Sequence, residues 1–205
     1  MSLSRVIRRF RFGAPVIVVS GLPRSGTSML MRMLDAGGVP LLVDGIRTAD
    51  EDNPAGYFEL EQVKEIEGGG DLSWVASARG KAVKVISMLL EHLPARFNYR
   101  VIFLDREISE VLASQRKMLA RRGESSTTND ERMAELYTVH LRKVRRLLAA
   151  DPRFTALEVA YADVITNPRG QAGRIAAFLG RALDVDRMAA AVDPALYRNR
   201  ATARS

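Results

Sequence analysis

Val16-Ile-Val-Val-Ser20 runs directly into Gly21-Leu-Pro-Arg-Ser-Gly-Thr-Ser28, and this stretch decides the fold. The first part is an apolar, β-branched run, which predicts a buried strand. The second part is a Gly- and Ser-rich loop, and the apolar pattern after it predicts a helix. A strand that enters a helix through such a loop directs backbone amides and the positive end of the helix dipole to one point. The sequence therefore predicts an anion site built from Ser25, Gly26, Thr27 and Ser28.

The loop departs from the Walker A pattern at one position. Gly21 and Gly26 have the spacing of G-x-x-x-x-G-K-[ST], but Thr27 stands where that pattern has Lys. The cation of the loop is Arg24 instead. The loop thus suits an anion but not the usual handling of an ATP γ-phosphate. The alternative is that a hydroxyl of the loop only caps a structural helix.

Apolar runs alternate with helical patterns along the rest of the chain. Strands are predicted at 15–20, 82–86, 99–104 and 154–159, and helices at 26–36, 108–121, 131–150 and 169–179. This alternation predicts a mainly parallel sheet covered by helices on both faces. The length of 205 residues predicts a single α/β domain, with a basic arm at 1–13 and a C-terminal helix and tail at 181–205.

Composition excludes several classes of function. The chain has no cysteine, which excludes disulfides, thiolate zinc sites and cysteine nucleophiles, and we expect a cytoplasmic protein. No apolar run approaches the roughly 20 residues of a membrane span. The net charge is +7, but the basic clusters lack interleaved aromatic residues, so no nucleic-acid partner is predicted.

Two further segments carry candidate site residues. Arg106 follows the strand at 99–104, and Ser114 lies eight residues later on a helix, so both can reach one anion. The alternative is that Arg106 pairs with a neighbouring acid, namely Asp105, Glu107 or Glu110. Glu59 lies in the loop Asn53-Pro-Ala-Gly-Tyr-Phe-Glu59, where a carboxylate can serve as a general base or cap a helix that starts near Leu60.

Only two histidines are present. His92 is predicted at the end of a helix. His140 lies among charged residues in the middle of a helix, and we expect it on the surface. No Ser/His/Asp pattern and no metal-ligand spacing occurs, so no metal is expected.

Together these motifs resemble the sulfotransferases that use 3′-phosphoadenosine 5′-phosphosulfate (PAPS), in particular the short bacterial members. Pro23-Arg-Ser-Gly-Thr-Ser28 is similar to the family's P-[KR]-S-G-T-[ST] loop, which binds the 5′-phosphosulfate. Arg106 and Ser114 match the family's pair for the 3′-phosphate. The segment Val159–Pro168 is similar to the family's late Y-x-D-L strand, which implies that Tyr161 lies at the adenine. The Asn53–Glu59 loop resembles the N-P-x-G-Y-F-E of bacterial members.

The resemblance implies a three-layer P-loop-type fold and a transferase. PAPS would be the co-substrate, 3′-phosphoadenosine 5′-phosphate the product, and a hydroxyl or amine of a small-molecule or glycan the acceptor, with no metal required. Arg24 would stabilise the leaving phosphate, since a guanidinium does not readily give up a proton. Glu59 would take the acceptor's proton, and Arg106, Ser114 and Tyr161 would bind the nucleotide.

The sequence also departs from the family. The K-T-H context that supplies a His base in cytosolic members is missing, which leaves Glu59 as the base, with His92 or Glu61 next. Arg198 and Arg200 are candidates to complete the 3′-phosphate site, and Trp74 and Tyr57 to line the acceptor cleft. A P-loop small-molecule kinase and a non-catalytic nucleotide-binding protein remain the alternatives, and neither the acceptor nor the oligomeric state can be read from the sequence.

Overall fold

The computed structural model of the chain describes residues 8, 10–46, 56–124 and 128–196. Its strands are β1 (Val16–Gly21), β2 (Ala82–Lys84), β3 (Tyr99–Asp105) and β4 (Phe154–Ala160). They form one sheet in the order β2-β1-β3-β4, and every neighbouring pair is parallel. The four predicted strands are confirmed. β2 ends two residues earlier than predicted, because the chain turns into a 3₁₀ segment at Ser87–His92.

Helices cover the sheet, as predicted. The helices from residue 16 onward are, in the described residues, α1 (Thr27–Ala36), α2 (Trp74–Ser77), α3 (Ile108–Arg121), α4 (Asp130–Ala150), α5 (Tyr161–Thr166), α6 (Pro168–Leu179) and α7 (Val185–Ala190). Two more 3₁₀ segments span Glu61–Glu65 and Pro194–Leu196. The predicted helices correspond to α1, α3, α4 and α6. No helix in the described part of the chain has the length and apolar character to cross a bilayer.

Each face of the sheet has its own core. Val18 and Phe103 point to the face that α3, α4 and the segment Ser87–His92 cover. Val19 and Leu104 point to the opposite face, which α1, α6 and α7 cover. Consecutive strand residues alternate between faces, so a strand buried on both faces is mainly apolar, as Val16–Val19 of β1 are. The three layers of the predicted α/β fold are thereby confirmed.

The carboxyl ends of three strands meet at one edge of this sheet. β1 leads into the loop before α1, β2 ends at Lys84, and β3 leads through Arg106 into α3. The register pairs Val19 with Lys84 and Gly21 with Leu104, so β2 and β3 flank the loop on its two sides. Ligands of open parallel sheets bind at such an edge.

The two ends of the chain are described only in part. Residues 1–7 and 197–205 lie outside the described residues, so the division into one domain with a basic arm and a tail stays a prediction. Within the predicted C-terminal region, α7 packs Met188 into the core on the α1 side.

Candidate active site

The loop between β1 and α1 requires glycine at its last residue. Gly26 precedes the helix with φ 100°, and no side chain caps the helix there. A Cβ at Gly26 would lie 2.6 Å from a ring carbon of Tyr161. Only glycine combines this backbone conformation with such a close approach. The alternative in which a loop hydroxyl caps α1 is therefore wrong.

The loop hydroxyls face different surroundings. Ser28 Oγ donates to the Tyr57 carbonyl at 3.3 Å. Ser25 is 1% exposed, and among the described residues its Oγ has no hydrogen-bond partner. A buried hydroxyl left without a partner costs about 1–3 kcal/mol, so its retention beside the amides of Gly26 and Thr27 fits the binding of an anionic oxygen.

Arg24 joins the loop to α3. Its backbone adopts φ 68°, a conformation that costs a non-glycine residue about 1–2 kcal/mol. Two bonds hold it in place: Arg24 Nε donates to Ser114 Oγ at 3.2 Å, and Arg106 Nη1 donates to the Arg24 carbonyl at 3.2 Å. The structure thus brings together the predicted phosphosulfate loop and both residues predicted for the 3′-phosphate.

Arg106 also forms a buried ion pair. Its Nε donates to Glu110 Oε2 at 2.9 Å, and the two side chains are 7% and 4% exposed. Of the three acids near Arg106 in the sequence, Glu110 is therefore its partner. Asp105 instead pairs with Arg145 at 2.9 Å; partial burial raises the pKa of the Asp105 carboxyl, and the Arg145 guanidinium opposes that rise.

Tyr161 packs beneath the cluster. The Arg106 guanidinium lies 4.2 Å from the centroid of its ring, and Gly26 contacts the ring edge. Burial raises the pKa of the Tyr161 phenol despite the nearby Arg106, so the hydroxyl stays protonated. The resemblance places Tyr161 in a late strand, but β4 ends at Ala160 and Tyr161 begins α5, because the chain turns into a helix where it leaves the sheet.

Lys84 is a site residue that the sequence analysis did not assign. It ends β2, is 8% exposed, and its Nζ lies 3.1 Å from Glu59 Oε1 and donates to the Tyr57 carbonyl. A buried ammonium requires such partners. A lysine at the end of an otherwise apolar strand was the available signal, but nothing in the local pattern indicated its partner 25 residues earlier.

Glu59 faces this lysine because of an unusual backbone conformation at the preceding residue. Phe58 has φ 52°, and its side chain packs against the core on the α1 side. Glu59 does not cap a helix: Leu60 precedes the 3₁₀ segment without a side-chain bond, and the carboxylate of Asp44 accepts the Glu61 amide. The helix-cap alternative for Glu59 is therefore wrong.

The other candidate bases lie elsewhere. The Glu61 carboxylate pairs with Lys64 at 2.7 Å, and both side chains are more than half exposed. His92 ends the segment Ser87–His92, as predicted. His140 is not a surface residue: it is half-buried, and its Nε2 lies 2.8 Å from Ser87 Oγ, because α4 packs against that segment.

Some candidates cannot be placed. Asn53, Pro54, Arg198 and Arg200 lie outside the described residues. Trp74 and Tyr57 are buried, and Tyr57 meets the site through its carbonyl oxygen. In the described ranges, no group of three or more His, Cys, Asp or Glu residues has an arrangement that could hold a metal ion.

Comparison with known proteins identifies the family of this chain. A family model described as "Sulfotransferase family" matches residues 73–185. The sulfotransferase domain from the curacin biosynthetic pathway superposes with a TM-score of 0.54 at 15% identity, over 90% of this chain and 89% of that domain. Mouse sulfotransferase SULT7A1, solved with PAP, gives 0.54 at 16% identity, over 87% of this chain and 62% of that one. No curated protein sequence gives a significant match.

Proposed function

The chain belongs to the sulfotransferase family of transferase enzymes, and we propose that it transfers a sulfuryl group from PAPS to a hydroxyl or amine of a small-molecule or glycan acceptor. The mouse relative was solved with PAP. PAP is 3′-phosphoadenosine 5′-phosphate, the nucleotide product of the proposed reaction. The observation that carries the proposal is the cluster of Arg24, Arg106 and Ser114 around a loop whose buried Ser25 hydroxyl lacks a partner among the described residues. We also propose a cytoplasmic location, since a chain without cysteine fits a reducing compartment.

Arg24 and the loop amides stabilise the charge of the reaction. The bond from sulfur to the bridging phosphate oxygen breaks as a bond from sulfur to the acceptor forms, and negative charge collects on the departing phosphate. Arg24, the amides of Gly26 and Thr27 and the dipole of α1 lie where that charge develops. Because a guanidinium does not readily give up a proton, Arg24 acts as a fixed cation and not as an acid.

Glu59 takes the acceptor's proton. It is 20% exposed, and its contact with Lys84 Nζ at 3.1 Å orients the carboxylate at the edge of the sheet. The proton that leaves the acceptor oxygen or nitrogen moves to Glu59, so the product carries the sulfuryl group and no extra charge remains on the acceptor atom. Lys84 is the positioning residue for this base.

Arg106 and Ser114 bind the 3′-phosphate in this proposal. Arg106 and Ser114 each form a hydrogen bond with Arg24 of the loop. One nucleotide can therefore reach both the loop and this pair of residues. Tyr161 is the proposed neighbour of the adenine. Because its ring is only 5% exposed, its larger contribution is to support Gly26 and Arg106 from below.

Calorimetry tests the nucleotide assignment. We expect 3′-phosphoadenosine 5′-phosphate to bind the purified protein, and ATP with Mg²⁺ to bind at least about tenfold more weakly, since ATP lacks the 3′-phosphate. Arg106→Ala should weaken binding of the first ligand more than binding of the second, because only the first has a 3′-phosphate, while both depend on the Arg24 loop that Arg106 holds. Arg132→Ala, which removes an exposed arginine of α4, is the control. Preference for ATP would favour a kinase.

Turnover with radiolabelled PAPS and a panel of acceptors tests the chemistry. Arg24→Ala should lower the rate by about 10²–10³-fold, as loss of one preorganised stabilising group does, and Arg24→Lys should retain part of it. Glu59→Gln should lower the rate at least about 10²-fold, whereas the matched control Glu61→Gln should leave it unchanged. A Glu59→Gln enzyme within a few-fold of wild type would place the base elsewhere, and binding without turnover on any acceptor would favour the non-catalytic alternative.

A further inference from the structure

A second edge of the sheet, where the strands begin, lies opposite the candidate active site. Arg8 fastens the start of the described chain to this edge, since its guanidinium donates to the Ala95 carbonyl at 2.7 Å and to the Phe97 carbonyl at 2.9 Å. Asn98 Nδ2 donates back to the Arg8 carbonyl at 3.0 Å. β3 has seven residues, so at about 3.3 Å per residue this edge lies roughly 20 Å from the loop that carries Arg24.

Five arginines gather along this edge. Two of them lie over the Phe97 ring and two over the Phe12 ring, at 4.7–5.6 Å from the ring centroids. The fifth donates to the Gly80 carbonyl at 2.9 Å. Because Arg8 also donates to the Phe97 carbonyl, and Gly80 adjoins Arg79, these groups form one continuous surface. We call this surface the basic edge, and its members are Arg8, Arg11, Arg79, Arg96 and Arg181.

The basic edge is not neutralised within the described chain. Arg153, which precedes β4, pairs with Asp151 at 2.7 Å, whereas no member of the basic edge forms an ion pair with a described residue. The first 13 residues of the sequence contain four arginines and no carboxylate side chain. Cations held this close repel one another unless an anion lies among them. The surface therefore fits a partner that carries many negative charges.

Phe10 adds apolar surface at the same place. Its side chain is 90% exposed, the highest value among the large apolar side chains of the described chain, and residues 8 and 10–12 are helical. An aromatic ring open to water among arginines combines two features of proteins that attach to a bilayer surface. The apolar group enters the acyl boundary, and the cations attract anionic headgroups.

The other aromatic rings of this surface are closed to stacking. Phe97 is 3% exposed beneath its two guanidiniums, and Arg8 and Arg11 cover Phe12. Single-stranded nucleic acids bind through several open rings on which successive bases stack. Of the described rings at the basic edge, only Phe10 is fully open. A lipid surface needs no row of open rings, so it matches this surface better than a nucleic acid does.

We propose that the basic edge and Phe10 dock this protein on an anionic lipid surface, with the guanidiniums at the headgroups and the Phe10 ring at the acyl boundary. Arg24 and Glu59 lie at the opposite edge of the sheet, so they face the aqueous phase when the protein is docked. The docking surface is independent of the proposed function, because it uses no residue assigned to the nucleotide or to the acceptor.

Co-sedimentation with lipid vesicles tests the docking. The purified full chain would be mixed with vesicles of phosphatidylcholine alone, or with vesicles in which phosphatidylserine makes up about a third of the lipid. Each arginine near an anionic membrane is worth about fivefold in affinity, so the mixed vesicles should bind at least about 100-fold more tightly than the neutral ones. Binding should disappear in about 1 M salt, where the screening length is about 3 Å.

Exposed residues of this surface offer variants that keep the core intact. Arg96→Gln should weaken binding to mixed vesicles about fivefold, and Phe10→Ser should weaken it at least about fivefold, since a ring that enters the acyl boundary is lost. The matched controls on α4 are Arg132→Gln and Val139→Ser, which change exposed side chains and should bind as the wild type does. Phe10→Trp should retain binding, and its fluorescence should shift to shorter wavelength with mixed vesicles but not with neutral ones.

Three results would overturn the proposal. The first is equal binding to the two kinds of vesicle, or binding to neither. The second is wild-type affinity in both Arg96→Gln and Phe10→Ser, because the protein would then use another surface. The third is a labelled oligonucleotide that binds the protein and is not displaced by mixed vesicles, because nucleic acid would then be the occupant of the basic edge.

Discussion

Glu110→Gln is the most informative single change, because it removes the charge that faces Arg106 while keeping side-chain size. The two groups lie 2.9 Å apart with exposures of 7% and 4%. Removing one partner of a buried ion pair costs about 3–5 kcal/mol. Arg106 keeps its bond to the Arg24 carbonyl and its contact with the Tyr161 ring, so we expect the lower end, about 3 kcal/mol.

Thermal unfolding measures this loss. For a chain of this length, 1 kcal/mol corresponds to about 2–4 °C in Tm, so Glu110→Gln should lower Tm by about 6–12 °C. Glu107→Gln makes the same change of charge at an exposed residue three positions earlier, and it should stay within about 0.5 kcal/mol of wild type. A Glu110→Gln protein that melts within 2 °C of wild type would refute the idea that Arg106 depends on a buried counter-charge.

The nucleotide should partly reverse the effect. If Arg106 binds the 3′-phosphate, that phosphate supplies the negative charge that Glu110→Gln removes. Saturating 3′-phosphoadenosine 5′-phosphate should therefore raise Tm more in the variant than in the wild type. An equal or smaller rise in the variant would mean that the phosphate does not approach Arg106, even if the ion pair is confirmed.

Two further changes test other parts of the structure. Phe58 has φ 52°, so Phe58→Gly should be more stable than Phe58→Ala by about 1 kcal/mol in chemical denaturation, and the reverse order would contradict the strain. Burial and the nearby Lys143 lower the pKa of His140, against the opposing effect of Glu91. The stability that this provides is complete above the unfolded pKa of about 6.5 and is lost as pH falls below it. His140→Gln should therefore reduce the decline in Tm between pH 7 and 5, and an unchanged decline would assign it to other groups.

The main features of the fold could be predicted from the sequence because the central strands β1 and β3 are mainly apolar and buried on both faces. A run such as Val16–Val19 has few alternatives to a central strand. Short elements such as α5 and the 3₁₀ segments could not be predicted, since three to six residues are too few to show a helical period. The surface position predicted for His140 was wrong because the packing of α4 against residues 87–92 is not encoded in α4 alone.

The candidate site was predictable where each residue belongs to a local motif. Gly26, Arg106 and Ser114 follow strand ends at recognisable spacings, and the sheet brings those ends together. Lys84 was missed because its contact with Glu59 depends on the backbone at Phe58, and a left-handed conformation at phenylalanine is contrary to its ordinary preference. Packing of the Phe58 ring into the core offsets that cost, and such a tertiary effect leaves no signal in the local sequence.

Arg24 shows why this site is a property of the whole sheet and not of one loop. Its strained backbone is held by Arg106, 82 residues later, and its side chain by Ser114, 90 residues later. Because Arg106 is itself fixed by Glu110 and Tyr161, the position of the loop's cation depends on β3, α3 and α5 together. A loop whose cation is placed by distant elements can be correctly shaped before any ligand arrives, and preorganised charge of this kind stabilises a transition state without reorganisation during the reaction. It follows that changes at Glu110 or Tyr161, which need not touch the sulfuryl group, should act on the rate through Arg24.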